Sequence, residues 1–148
     1  MEESKTKPAH SLEVRRTLRA SRERIYQAWT DPAALSRWFS PTDDYETIVH
    51  ELDLRIGGSY RIEMRHKSGA QHIATGVYRE LAPPDRLAFT WRWAEAASMA
   101  DSLVTVELIP RGQATEIVLK HELLESADSA REHEKGWVGC LTRLTATF

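Results

Sequence analysis

The final 23 residues, Ser126–Phe148, set the strictest requirement on the fold of this chain. Their apolar side chains recur at helical spacing and so share one face of a long α-helix: Trp137, Cys140, Leu141, Leu144 and Phe148. Ser129 and Glu132 have the spacing of a capping box, while Ser126 and Asp128 are competing start sites. Because one apolar face needs a partner, the preceding residues must form a surface that covers this helix.

The residues from Tyr45 to Glu122 alternate apolar and polar side chains in short runs separated by turn residues, which is the pattern of antiparallel strands. Residues 11–18 alternate in the same way, so the predicted strands are 11–18, 45–54, 59–67, 71–81, 86–93, 102–110 and 114–122. After the first strand, Ser21 caps a short helix, and Asp31 with Pro32 starts a second. We therefore predict an α+β fold with two short helices after the first strand. In it, a curved antiparallel sheet of six to seven strands grips the long C-terminal helix.

Length and composition limit the classes of protein to which the chain can belong. With 148 residues it fits one domain, expected over residues 11–148 after a flexible tail over residues 1–10. The net charge of -2 and the lack of a basic stripe argue against a nucleic-acid partner. No apolar run approaches the roughly 20 residues of a membrane span, and no signal peptide is evident. Cys140 is the single cysteine, which fits a reducing compartment, so we expect a cytoplasmic protein.

Four segments, Arg22–Pro41, Arg55–Ile62, Gly76–Trp91 and Gly136–Leu144, together resemble one known family. It is the branch of the START-like helix-grip superfamily (SRPBCC) that is named after the Hsp90 ATPase activator homologue. The resemblance covers nearly the whole chain beyond the tail. It implies a seven-stranded antiparallel sheet folded around the long helix. Many relatives hold a lipid, hormone or polyketide-like ligand between the two.

The same resemblance bears on the partners of the chain. The family takes its name from eukaryotic co-chaperones that carry an additional N-terminal domain, for which this chain has no room. An Hsp90-type chaperone is therefore a weaker expectation as a partner than a small hydrophobic molecule.

The strand Arg86–Trp93 carries the most aromatic stripe in the sequence, with Phe89, Trp91 and Trp93 on one face. Together with the fold that the resemblance implies, this stripe predicts a ligand-binding cavity between sheet and helix. The alternative is that these aromatic side chains simply fill the core. The expected ligand-binding residues are Trp38, Phe39, Tyr60, Met64, Tyr78, Trp91, Trp93, Trp137, Cys140 and Leu141.

Two further features are expected near the cavity. Gly136 and Gly139 interrupt the long helix, and we expect them where the helix comes closest to the sheet. The alanine-rich loop Ala94–Asp101 has little apolar bulk to anchor it, and we expect it to be mobile and to border the cavity entrance.

The sequence contains no recognisable catalytic or metal-binding motif. His66 and His72 flank a hairpin tip, but no nearby carboxylate or cysteine completes a metal site, so no metal or other cofactor is expected. His121 and His133 are expected at the surface. The sequence thus favours a protein that binds a small hydrophobic or aromatic molecule. The alternatives are an enzyme of polyketide-cyclase or hydrolase type that uses the same cavity, and a protein-interaction module similar to a chaperone cofactor.

Overall fold

A computed structural model describes residues 10–96 and 100–148 of the protein. The predicted tail lies outside the described residues except for His10, which begins the first strand. Residues 97–99, in the middle of the loop Ala94–Asp101, also lie outside them, so the mobility of this loop stays a prediction.

Seven strands and three helices occur in the described residues, in the order that the sequence predicts. The strands are β1 (His10–Leu18), β2 (Tyr45–Leu52), β3 (Ser59–His66), β4 (Gln71–Ala82), β5 (Arg86–Trp93), β6 (Ser102–Arg111) and β7 (Ala114–Leu124). The helices are α1 (Arg22–Thr30), α2 (Pro32–Trp38) and α3 (Ala127–Ala146). The predicted α+β helix-grip fold is therefore confirmed.

The strands form one antiparallel sheet in the order β1-β7-β6-β5-β4-β3-β2, so β1 and β2 are its edges. Extra residues in β7, β2 and β4 break the pairing register with β1, β3 and β5 and bend the sheet, because an extra residue increases the local twist. The concave face and the buried face of α3 share one hydrophobic core, to which α3 contributes Trp137, Cys140, Leu141 and Leu144. The two short helices complete this core, with α2 beside α3 and α1 beside α2.

Polar side chains fix where each helix begins. The Ser21 and Asp31 side chains accept hydrogen bonds from the backbone N–H groups of Arg24 and Ala34, as expected of N-caps. For α3, the Ser126 hydroxyl accepts from the Ser129 N–H at 3.0 Å, so Ser126 is the cap among the competing start sites. The long helix therefore begins at Ala127, three residues earlier than a cap at Ser129 would place its start.

The two glycines of α3 differ sharply in their surroundings. A Cβ atom at Gly139 would lie 2.2 Å from the carbonyl oxygen of Pro41, whereas one at Gly136 would have no neighbour within 4 Å. The expectation that both mark the closest approach of helix to sheet is therefore wrong. Only Gly139 is in close contact, and its neighbour is the backbone after α2 rather than a strand. This contact fixes the position of the segment that carries Pro41 against the helix.

Candidate functional site

A cavity of about 370 Å³ lies between α3, the segment after α2, and strands β2 to β5. This volume falls in the usual range of small-molecule sites, roughly 300–1,000 Å³. The described residues that line it are Phe39, Pro41, Tyr45, Met64, His72, Trp91, Trp93, Glu95, Glu132, His133, Gly136, Trp137 and Cys140. Most of this surface is apolar or aromatic, and Glu95 places the beginning of the loop after β5 at the cavity.

Six of the ten residues expected to bind a ligand line this cavity: Phe39, Met64, Trp91, Trp93, Trp137 and Cys140. The other four are buried in the adjoining core, outside the lining: Trp38, Tyr60, Tyr78 and Leu141. Two of these have backbone partners for their polar atoms. The Trp38 indole N–H donates to the Ala28 carbonyl at 3.0 Å, and the Tyr60 hydroxyl donates to the Thr90 carbonyl at 2.5 Å. Neither polar atom is thus left to a ligand.

The aromatic side chains of the lining form a continuous series of ring contacts. Ring centroids are separated by 5.7 Å between Phe39 and Trp137, by 5.2 Å between Trp137 and Trp91, and by 5.3 Å between Trp91 and Trp93. The series continues from Trp93 to His72 at 6.0 Å. Such a wall can present both ring faces and ring edges to a flat apolar molecule.

A buried histidine lies directly behind this wall. His121 is fully buried, so the expectation that it lies at the surface is wrong. Its Nδ1 atom accepts a hydrogen bond from the Trp137 indole N–H at 3.0 Å, and its Nε2 atom lies 2.7 Å from the Ser102 hydroxyl oxygen. The Ser102 hydroxyl also lies 2.9 Å from the Trp91 carbonyl, to which it can only donate.

These contacts define the tautomer of His121. An indole N–H can only donate, so Nδ1 must be unprotonated and the ring proton of neutral His121 must be on Nε2. This proton is donated to Ser102, whose own proton is donated to Trp91, and every member of the chain is satisfied. Burial, and secondarily the neighbouring His133, lower the pKa of His121 from 6.5 to about 3. The ring is therefore neutral at physiological pH.

His133 occupies a similar position on the helix side of the cavity. It is half-buried and lines the cavity, rather than lying free at the surface. Its Nδ1 atom lies 2.8 Å from the Ser129 carbonyl and must donate to it, while its Nε2 atom accepts from the Trp91 indole N–H at 3.3 Å. The neighbouring Trp91 and Trp137 indoles of the wall thus each donate a hydrogen bond to a histidine.

The comparisons with known proteins agree with this architecture. Residues 19–148 match the model of the family described as Activator of Hsp90 ATPase homolog 1-like protein. The chain belongs to this family. The resemblance predicted from the sequence is therefore confirmed, and the match covers strands β2 to β7 and all three helices.

Solved structures of bacterial proteins share the fold of this activator-homologue family member over nearly its full length. Protein CV1439 from Chromobacterium violaceum is 32% identical, with a TM-score of 0.85 over 93% of this chain and 95% of that one. Mll3558 from Rhizobium loti is 28% identical, with a TM-score of 0.78 over 95% of this chain and 97% of that one. SPO3351 from Silicibacter pomeroyi is 24% identical, with a TM-score of 0.82 over 93% and 96% of the two chains. No curated protein matches the chain.

Several lining residues of this family member were not among the expected ligand-binding residues: Pro41, Tyr45, His72, Glu95, Glu132, His133 and Gly136. Gly136 and the loop that carries Glu95 were expected only to lie near the cavity. One of them, His72, could have been found from strand parity. It lies two residues before Ala74 and pairs with Met64, which places it on the concave face beside Trp93. The others come from the first position of β2, from loops, or from helix positions next to the apolar face, where residue spacing gives no indication of a cavity.

Two classes of feature do not occur in the described part of the chain. Residues 10–96 and 100–148 contain no group of three or more His, Cys, Asp or Glu side chains arranged to hold a metal ion. No helix in these ranges is long and apolar enough to cross a membrane.

The Cys140 thiol provides a chemical probe of the cavity wall. It is only 5% exposed, and burial raises its pKa from 9.0 to about 12. Because the thiolate is the reactive form, we expect native protein to react with a maleimide at least about tenfold more slowly than urea-unfolded protein. The rate is measured by mass spectrometry, and equal rates in the two states would contradict the buried position of Cys140.

Proposed function

We propose that this protein binds a small hydrophobic or aromatic molecule in the cavity between the sheet and α3. The observation that supports the proposal is the lining itself, in which aromatic rings from α3, β5 and the segment after α2 surround one space of about 370 Å³. Such a volume suits a molecule of one to three rings. The single buried cysteine fits a reducing compartment, and we place the protein in the cytoplasm.

Hydrogen bonds hold the aromatic wall in place before a ligand arrives. The Trp91 and Trp137 indoles each donate to a histidine, His133 and His121 respectively, so neither ring is free to rotate without losing a hydrogen bond. A preorganised wall lowers the entropic cost of binding, because fewer side chains must become ordered. The fixed positions of these rings favour a preformed binding surface over a poorly packed part of the core.

The enzyme alternative has less support than binding. A general acid or base needs an atom that is free to exchange a proton with a substrate. Both ring nitrogens of His121 and of His133 are already engaged within the protein. His72, Glu95 and Glu132 remain at the cavity, but none has a partner in the described residues that would activate it.

The protein-interaction alternative also has less support. The exposed large apolar side chains of the described residues are Leu54, Ile56 and Leu123, and only the first two share one connection between strands. Interaction surfaces normally present larger contiguous apolar patches. An Hsp90-type chaperone therefore remains a weaker candidate partner than a small molecule.

Gly136 offers a direct test of the binding proposal. A Cβ atom at this position would have no neighbour within 4 Å, and Gly136 lines the cavity, so Gly136→Leu is expected to extend into the binding space while preserving the fold. We expect its affinity for the neutral fluorescent probe N-phenyl-1-naphthylamine to fall at least about tenfold, since the probe must displace a buried side chain. Affinity is measured by fluorescence titration.

Thr142→Leu is the matched control for this variant. It places the same side chain on an exposed position of the same helix, away from the lining. Its affinity for the probe is expected to equal that of the unchanged protein. Equal binding by all three proteins, or no binding by the unchanged protein, would overturn the proposed function.

A further inference from the structure

The charges around the cavity are all of one sign. Among the described lining residues, Glu95 and Glu132 carry formal charges, and none is a lysine or arginine. Both carboxylates are solvent-exposed, and they come from different elements, since Glu95 follows β5 and Glu132 lies on α3. They therefore place negative charge at the mouth of an apolar space.

Of the cations within three residues of these carboxylates in the sequence, Arg131 and Arg92 have other partners, and Lys135 forms no ion pair with Glu132. Arg131 pairs with Asp128 on α3, and the Arg92 guanidinium lies 3.8 Å from an Asp101 carboxylate oxygen. Within residues 10–96 and 100–148, neither Glu95 nor Glu132 takes part in an ion pair. Their charge is thus available to a molecule that enters the cavity.

The aromatic rings below the carboxylates are suited to the same kind of molecule. The faces of tryptophan, tyrosine and phenylalanine rings attract cations through the negative potential of their π-systems. Trp91 and Trp93 meet at 74°, so their ring planes are nearly perpendicular and form two sides of a corner. Phe39 and Tyr45 also line the cavity. An ammonium group would meet aromatic faces inside the cavity and carboxylates at its mouth.

We propose that the ligand is a hydrophobic cation, a molecule that carries an amine or quaternary ammonium group on an aromatic or alkyl body. The inference rests on the proposed function and specifies the chemical class of its ligand. An anionic ligand, such as a fatty acid, would bring its charge to the same mouth and be repelled by both carboxylates. A neutral ligand would make no use of them.

A pair of probes of similar size and opposite charge tests this inference. Benzyltrimethylammonium and phenylmethanesulfonate are used to displace N-phenyl-1-naphthylamine from the unchanged protein at low ionic strength, where exposed charges interact most strongly. We expect the cation to bind at least about fivefold more tightly than the anion, because each exposed charge interaction changes affinity by roughly 1.5- to 5-fold. Equal binding of both probes, or tighter binding of the anion, would overturn the inference while the proposed function stands.

Variants that neutralise the two carboxylates test whether Glu95 and Glu132 cause the preference for the cation. Glu95→Gln combined with Glu132→Gln is expected to weaken binding of the cation by about 3- to 10-fold, the effect of two exposed charges, and to leave binding of the neutral probe unchanged. Glu134→Gln is the control, because Glu134 is an exposed residue of the same helix outside the lining. Glu95→Gln and Glu132→Gln are also measured singly. If Glu134→Gln lowered the affinity for the cation as much as either of them, the effect would be one of overall charge, and the inference would be overturned. Failure of the neutral probe to bind at all would overturn the proposed function, and the inference with it.

Discussion

Replacing Gly139 by alanine is expected to lower the free energy of unfolding by about 2 kcal/mol. The added Cβ would lie 2.2 Å from the Pro41 carbonyl oxygen and 2.9 Å from two further Pro41 backbone atoms. Backbone atoms cannot rotate away, so the clash is expected at the upper end of overpacking costs, about 3 kcal/mol. The better helix propensity of alanine offsets about 1 kcal/mol of this. The measurement is urea unfolding followed by circular dichroism.

Gly136→Ala is the matched control, since it makes the same change three residues earlier in the same helix. No atom lies within 4 Å of the new Cβ, so only helix propensity changes and stability is expected to rise by about 0.5–1 kcal/mol. Opposite signs for the two variants are the expected result. If Gly139→Ala were as stable as Gly136→Ala, the close contact between α3 and the Pro41 backbone would not exist.

The free energy of unfolding is expected to fall by about 2 kcal/mol between pH 7 and pH 5, because His121 cannot accept a proton in the folded state. Burial lowers the pKa of His121 from 6.5 to about 3, so between these values the unfolded chain binds a proton that the folded protein does not. Stability therefore decreases as pH falls below 6.5, by about 1.4 kcal/mol per pH unit. Urea unfolding at a series of pH values measures this slope.

Carboxylates contribute little to this slope above pH 5. A hydrogen bond from His50 and another from Arg65 lower the pKa of Glu63 below 4.5, and the Arg111 and Arg15 side chains lower that of Glu116. Their stabilising effect is lost only as pH falls below 4.5. The window from pH 7 to pH 5 thus lies above the range in which these two carboxylates titrate.

His121→Asn is the variant that tests the assignment. The asparagine oxygen can accept the Trp137 indole N–H, while the side chain has no group that titrates in this range. The variant is expected to lose most of the slope between pH 7 and pH 5, whatever its absolute stability. An unchanged slope would mean that His121 is not the buried group responsible.

Most of the fold could be predicted from local sequence. Ser21, Asp31 and Pro32 start helices through contacts within three residues, and the alternation of the strands depends only on which side of the sheet faces the core. The start of α3 was ambiguous, because Ser126 and Ser129 are both good caps. In the structure the Ser126 hydroxyl accepts the Ser129 N–H, so the helix begins at Ala127.

The candidate site could be predicted only in part, because residue spacing gives the face of an element but not the depth below the surface. Tyr60 and Met64 share one face of β3, yet Met64 lines the cavity and Tyr60 lies in the core with its hydroxyl bonded to Thr90. Likewise Leu141 follows Cys140 on α3 but is buried away from the lining. Which residues border open space depends on packing between elements that are distant in sequence.

The buried histidine shows the same limit. His121 lies two residues after Leu119 and therefore on the inward face of β7, which strand parity alone would indicate. A histidine at such a position is buried only if partners satisfy its ring, and these come from Ser102 on β6 and Trp137 on α3. No local pattern in the sequence joins these three residues.

The most direct measurement is a two-dimensional NMR titration of the five tryptophan indole N–H groups with N-phenyl-1-naphthylamine. Trp91, Trp93 and Trp137 line the cavity, whereas Trp29 and Trp38 lie in the core behind it. Binding in the cavity predicts large, saturable shifts for the three lining signals and small ones for the other two. No shift, or shifts largest for Trp29 and Trp38, would contradict binding at this site.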